Sequence, residues 1–205
     1  MPNVKNNSFK FKKSDKGFTL IELVIVIAII GILGTAVFLT LNPTKILADS
    51  RNSTRKSDVQ AIYRSVQKAI VEGTITLTPT SNNWESSSSL NTAGNAFAVD
   101  GNGYIKFTNN NPANLVRLDL SKLPRDPQNG NPITCPVGYT CSGGDQRHKY
   151  VFCTNGTDFE VNVYLENDEV KGEMVSDGGN NNGAYEVGTR LDICPANVFA
   201  NQTKN

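Results

Sequence analysis

Residues 16–41 read KGFTLIELVIVIAIIGILGTAVFLTL, and from Phe18 to Leu41 the only charged side chain is Glu22. As a helix rising 1.5 Å per residue, Phe18–Leu41 extends about 36 Å, against roughly 30 Å of bilayer hydrocarbon. The leader before it, residues 1–17, sets Lys5, Lys10, Lys12, Lys13 and Lys16 against Asp15 alone. The positive-inside rule keeps such a flank cytoplasmic and sends the rest of the chain across the membrane. An ordinary secretory signal places small residues after its apolar core, and here Thr35-Ala36-Val37 lies inside it. A carboxylate so early in a membrane span is a cost without a partner, which makes Glu22 a functional residue by default.

Outward from this stretch, the whole-chain averages conceal an asymmetry. The 205 residues carry 20 basic and 19 acidic side chains, yet residues 74–205 hold 9 basic and 14 acidic. A near-neutral chain with an acidic C-terminal part is not built to take phosphate backbones, so no direct nucleic-acid contact is expected. Beyond Pro43, which is expected to bend or loosen the helix, apolar residues recur at Ile46, Leu47, Val59, Ile62, Tyr63, Val66, Ala69 and Ile70. The charged residues Arg51, Arg55, Lys56, Asp58, Arg64, Lys68 and Glu72 are assigned to the opposite, solvated face, and Gly73 ends the helix. Residues 18–72 as one rod would be about 80 Å long.

After Gly73 the chain turns rich in Asn, Ser, Thr and Gly. Candidate strands are Tyr104–Thr108, Tyr150–Thr154 and Asp158–Leu165, the last two flanking the hairpin signal Asn155-Gly156. In the second arm Phe159, Val161, Val163 and Leu165 face one way, and Glu160, Asn162, Tyr164 and Glu166 the other. The amphipathic half of the helix is the cover for the apolar face. The expected fold is α+β: a long N-terminal helix packed on a small antiparallel sheet. Its parts are a leader (1–17), a hydrophobic membrane helix (18–41), an amphipathic continuation (42–73) and a β-rich head (74–205). Residues 74–100 and 167–190 read as surface loops.

Cys135, Cys141, Cys153 and Cys194 all fall in this head; an even count in an exported domain favours two disulfides, with three possible connectivities. Cys135–Cys141 would close a tight Pro/Gly-rich loop and Cys153–Cys194 would tie the tail to the hairpin. The spacings do not fit zinc patterns. His148, in the charged run Asp145–Lys149, reads as an exposed surface residue. With no Ser/His/Asp or Cys/His arrangement and no phosphate loop, the chain does not read as an enzyme.

The junction Lys16–Gly34 resembles the type IV pilin and pseudopilin family, whose class III leader is cut by a prepilin peptidase. The resemblance implies cleavage after Gly17, N-methylation at Phe18 and assembly through Glu22, with Thr19, Gly31, Gly34 and Pro43 shaping the polymerising helix. It also implies a ladle-shaped subunit, a single-pass precursor in the cytoplasmic membrane with its head outside, and later an extracellular filament. The implied partners are membrane lipid, the prepilin peptidase, an inner-membrane assembly platform, minor pilins and other copies in a helical homopolymer. The new Phe18 amine, one turn from Glu22, can neutralise a neighbour's Glu22 when helices stack with an offset. Two head pieces are similar to family segments: Leu123-Pro124-Arg125-Asp126-Pro127, like the LPxDP turn of major pseudopilins, and more loosely Tyr185–Thr189. Gln128-Asn129-Gly130 stands where a Trp-Gly usually follows that turn. Major pseudopilins also carry a calcium in this part of the head. Asp168, Asp177 and Asp192 around Gly178–Gly183 are the available oxygen ligands, but the D-x-[DN]-x-[DN]-G spacing is missing. A solvated loop without metal or cofactor is therefore the expectation. The family reading leaves three roles: major pilin, pseudopilin of type II secretion, or minor tip subunit acting as an adhesin or DNA-uptake module. An uncleaved single-span anchor is the reading outside the family.

Overall fold

A computed structural model of the chain describes residues 17–40, 42–79, 88–90, 96–110, 118–135, 139–144, 146–167 and 171–204. The leader lysines and Asp168 lie outside the described residues. The chain forms two compact units, Met1–Pro43 and Thr44–Asn205.

Among its described residues the first unit carries the helix α1 (Leu20–Thr40). Its run of Leu, Ile, Val and Ala offers no polar face, and a helix is the one open-chain structure that satisfies its own backbone without water. The window Leu20–Val37 is long and apolar enough to cross a membrane, with a mean hydropathy of 2.8, and none of it is buried within the chain. Such a helix needs lipid or other helices around it. The second helix, α2, runs Pro43–Val71. α1 ends at Thr40, and Pro43, where an interruption is expected, occupies the first position of α2, where a missing N–H costs nothing.

The end of α2 is set by Gly73. Its φ of 66° is the left-handed conformation that a side chain disfavours. There the Gly73 N–H donates to Ile70 O (2.9 Å) and the Thr74 N–H to Ala69 O (3.0 Å), the paired bonds of a Schellman stop.

Among the described residues the head carries three small antiparallel sheets. β1 (Ile75–Leu77) pairs with β2 (Phe107–Asn109), β3 (Tyr139–Ser142) with β7 (Asn201–Lys204), and β4 (Tyr150–Thr154), β5 (Phe159–Val163) and β6 (Tyr185–Gly188) form a three-stranded sheet in that order. A short helix, α3 (Lys171–Ser176), precedes β6. Three expectations shift here. The strand expected at Tyr104–Thr108 lies at Phe107–Asn109, with Tyr104 and Ile105 buried beside it. β1 and β6 occupy stretches that composition assigned to loops. The β4–β5 connection spans residues 155–158, with Thr154 paired to Phe159, because Asn155 Oδ1 accepts the N–H groups of both Thr157 and Asp158.

Along α2 the stripe Val59, Ile62, Val66 and Ala69 packs on Phe152, Phe159, Val161, Val163 and Leu165. Ile46 and Leu47, grouped with this stripe from sequence, stay exposed. The opposite face of the sheet, which alternation marked as polar, is also buried. Val151, Cys153 and Tyr164 meet Ile133, Ala184, Cys194, Val198 and Phe199 in a second apolar cluster. β4 and β5 are consequently buried at every position, and Glu160 and Asn162 end up inside the head with no exposed surface.

Candidate functional site

At the N-terminal junction Gly17 is exposed and Phe18 is 89% exposed, so the peptide bond between them is open to an enzyme. Thr19 caps α1. Its carbonyl accepts the Leu23 N–H (3.2 Å), and its hydroxyl accepts the Glu22 N–H (3.3 Å). In return Glu22 Oε2 accepts the Thr19 N–H (2.8 Å) and the Thr19 hydroxyl (2.7 Å). This is a reciprocal capping box, with Thr at the cap and Glu three residues on. It fixes the lone carboxylate at the start of the helix, one turn from the residue that cleavage would expose. Thr19→Val keeps the side-chain shape and removes the hydroxyl. In detergent micelles the amide of Glu22 should then exchange several-fold faster while amides past Val24 are unchanged; an unchanged Glu22 amide would show that the box carries no weight. Gly31 and Gly34 sit on the open surface of α1, where an added β-carbon would meet nothing. Thr35 satisfies its hydroxyl on Gly31 O (2.9 Å).

In the second unit, a buried polar cluster centres on Arg55. Placed on the solvated face from sequence, Arg55 is instead fully buried. Its Nε and Nη2 donate to Asp126 Oδ2 (2.7 Å) and Oδ1 (2.9 Å), and its Nη1 to Glu166 Oε1 and to Asn52 Oδ1 (3.2 Å). Arg51 forks onto the same Glu166, while Asn52 exchanges two bonds with the Glu166 backbone. Burial raises the Glu166 carboxyl, but the bonds to Arg51 and Arg55 outweigh it and hold it below the usual range. The clamp ties α2 to the Leu123–Pro127 turn and to the end of β5.

His148 is a second correction: it is 3% exposed and lies against Arg55, with Nδ1 3.1 Å from Nη2. Guanidinium nitrogens only donate, so Nδ1 accepts and the ring is neutral with its proton on Nε2. Burial and the neighbouring Arg55 push its pKa down. One signal could have found these residues. Ala48, Asn52, Arg55, Val59, Ile62, Val66 and Ala69, all buried, follow one another at alternating four- and three-residue steps, so Asn52 and Arg55 are in phase with the core stripe.

The cysteines pair as Cys135–Cys141 and Cys153–Cys194. Asp177 accepts the N–H groups of Gly179 and Glu186, and Asp192 pairs with Arg190. Among the described residues no three His, Cys, Asp or Glu side chains converge as a metal cluster.

Residues 12–38 match the family model described as the prokaryotic N-terminal methylation motif. That span takes in Gly17, Phe18, the capping box and most of α1, and it is the motif that marks the class III prepilin leader of the type IV pilin family. The motif supports a type IV pilin-like or pseudopilin precursor, and it goes with prepilin peptidase processing and assembly with other pilins. No curated protein and no solved structure matches the chain.

Proposed function

We propose that this protein is a structural filament subunit. It enters the membrane as a prepilin, is cleaved after Gly17, is methylated on the Phe18 amine and polymerises through α1 into a type IV pilus-like surface fibre. The observation that carries this reading is a single carboxylate, Glu22, held by Thr19 at the head of a helix that is apolar and uncovered on every side. Lipid surrounds that helix before assembly, and copies of itself afterwards. The Phe18 amine of one subunit then finds the Glu22 of another, turning the cost of a carboxylate in an apolar bundle into an ion pair. The remaining partners of this reading are the peptidase, an inner-membrane platform and minor pilins. It needs no catalytic group, no cofactor and no direct nucleic-acid contact.

Intact mass of the membrane-extracted protein, from cells expressing a prepilin peptidase, tests the reading. Wild type is expected to lose residues 1–17 and gain one methyl group, and Gly17→Val to keep its full mass. Identical full-length masses for both would overturn it. The sheared surface fraction then sorts the roles: a major pilin dominates it, whereas a pseudopilin or a minor tip subunit is scarce there.

A further inference from the structure

Under the C-terminal segment of the head, β5 and β6 bring two carboxyl groups together. Asn162 pairs with Glu186 and Glu160 with Gly188 in the register, so Glu160 and Glu186 are diagonal neighbours on one face. Both are buried, at 0% and 3% exposure. Glu160 Oε2 accepts the N–H groups of Ile193 (2.8 Å) and Cys194 (2.9 Å), which pins the C-terminal segment to the sheet beside the Cys153–Cys194 disulfide. Glu186 Oε1 accepts from Asn162 Nδ2 (3.1 Å) and its Oε2 from the Asn181 N–H (3.1 Å). A β-carbon at Gly179 would collide with the Glu186 carboxyl, which packs directly against this glycine. No ion pair to Glu160 or Glu186 exists among the described residues. With both groups ionised, Glu160 Oε1 is buried without any donor.

We infer that Glu160 and Glu186 share one proton, carried by Glu186 and donated to Glu160 Oε1, and that this proton is a pH-sensitive latch holding β6 and residues 193–194 onto the sheet. Two carboxylates buried side by side cannot both ionise without a large cost, and Glu160 Oε1 is the acceptor left without a donor. Burial, then the contact with Glu160, pushes the Glu186 carboxyl up to about 9. The other charged or titratable groups around it are Asp177, whose carboxylate accepts the Glu186 N–H, Tyr185 beside it, and Glu173, which is paired with Lys56 of α2. Asp177 adds to the repulsion. An open groove of about 430 Å³ runs beside β6, lined by Gln60, Ser176, Asp177, Tyr185, Glu186 and Leu191.

The sign follows from linkage. A carboxyl raised in the folded state stabilises it fully below its unfolded pKa, and that stability is lost as pH rises towards the folded value. The test is urea unfolding of the full chain in detergent, disulfides intact, from pH 5 to 9, for wild type and Glu186→Gln, whose amide carries the donor at every pH. The unfolding constant of wild type relative to the variant should rise by up to about tenfold per pH unit from pH 5 and level off towards pH 9. Infrared spectra of the folded wild type at pH 7 should show a protonated-carboxyl band that is missing in the variant. A ratio independent of pH, absence of that band, or a ratio that follows added calcium and its chelator would overturn the latch. If Glu186→Gln fails to fold, the wild-type band and its loss in Glu160→Gln decide the question.

Discussion

Replacing Arg55 by alanine should lower the stability of the head by about 3–5 kcal/mol, read as a fall in the urea midpoint of the full chain in detergent. The size comes from what is left behind. Asp126 has no exposed side-chain surface, and Glu166 is only 16% exposed. Removing the guanidinium strands the first carboxylate inside the protein and leaves the second with Arg51 alone. A domain of this size is commonly stable by only about 5–15 kcal/mol, so the loss is a large share of the total. Arg55→Lys should recover little, because one ammonium cannot reproduce two donors to Asp126 together with one to Glu166. The combined change Arg55→Met, Asp126→Leu removes both buried charges at once and should be milder than Arg55→Ala. If the single change were harmless, the clamp would not be what joins α2 to the Leu123–Pro127 turn.

The two disulfides should differ in weight. Cys153–Cys194 closes a loop of sequence separation 41, and Cys135–Cys141 one of separation 6. On the chain-entropy account the larger loop contributes roughly 4 kcal/mol and the smaller roughly 2 kcal/mol. Structure widens that gap. Cys194 belongs to the segment that covers the second face of the sheet with Val198 and Phe199, and its N–H is one of the two that hold Glu160. Cys153→Ser with Cys194→Ser should therefore lower the melting temperature more than Cys135→Ser with Cys141→Ser, and should expose the sheet face to protease at residues 193–200. Equal losses from the two double variants would contradict this ordering.

His148 and Glu186 act on pH in opposite directions. A histidine held below its ordinary pKa supports the fold fully above about 6.5 and loses that support as pH falls through the lowered value. Glu186 loses its support as pH rises. The head is therefore bounded on both sides, by the Arg55 clamp in acid and by the carboxyl pair in base.

How far the chain could be read from its sequence depends on how local each feature is. α1 was legible because its signal is the identity of successive residues, and no partner elsewhere alters it. The Thr19–Glu22 box lies within one helical turn, and Gly73 ends α2 through its own backbone freedom. Arg55 was misread because its charge outweighed its phase: it lies three residues past Asn52 and four before Val59, on the buried stripe. Whether an arginine there is solvated or buried is settled by Asp126 and Glu166, which arrive from 71 and 111 residues away. Glu160 and Asn162 were misread for a related reason. Alternation tells which residues share a sheet face, but not whether a second layer covers it.

By itself, then, the sequence determined the apolar helix with its one carboxylate, the amphipathic helix that follows and the β-rich composition of the head. Each rests on hydrophobicity, charge or turn chemistry read within a few residues. Only the tertiary structure decided that the C-terminal segment seals the far side of the sheet, that Arg55 is an internal clamp, and that Glu160 and Glu186 meet. Burial of a polar group is a property of what is packed against it, and chain order does not state that distance.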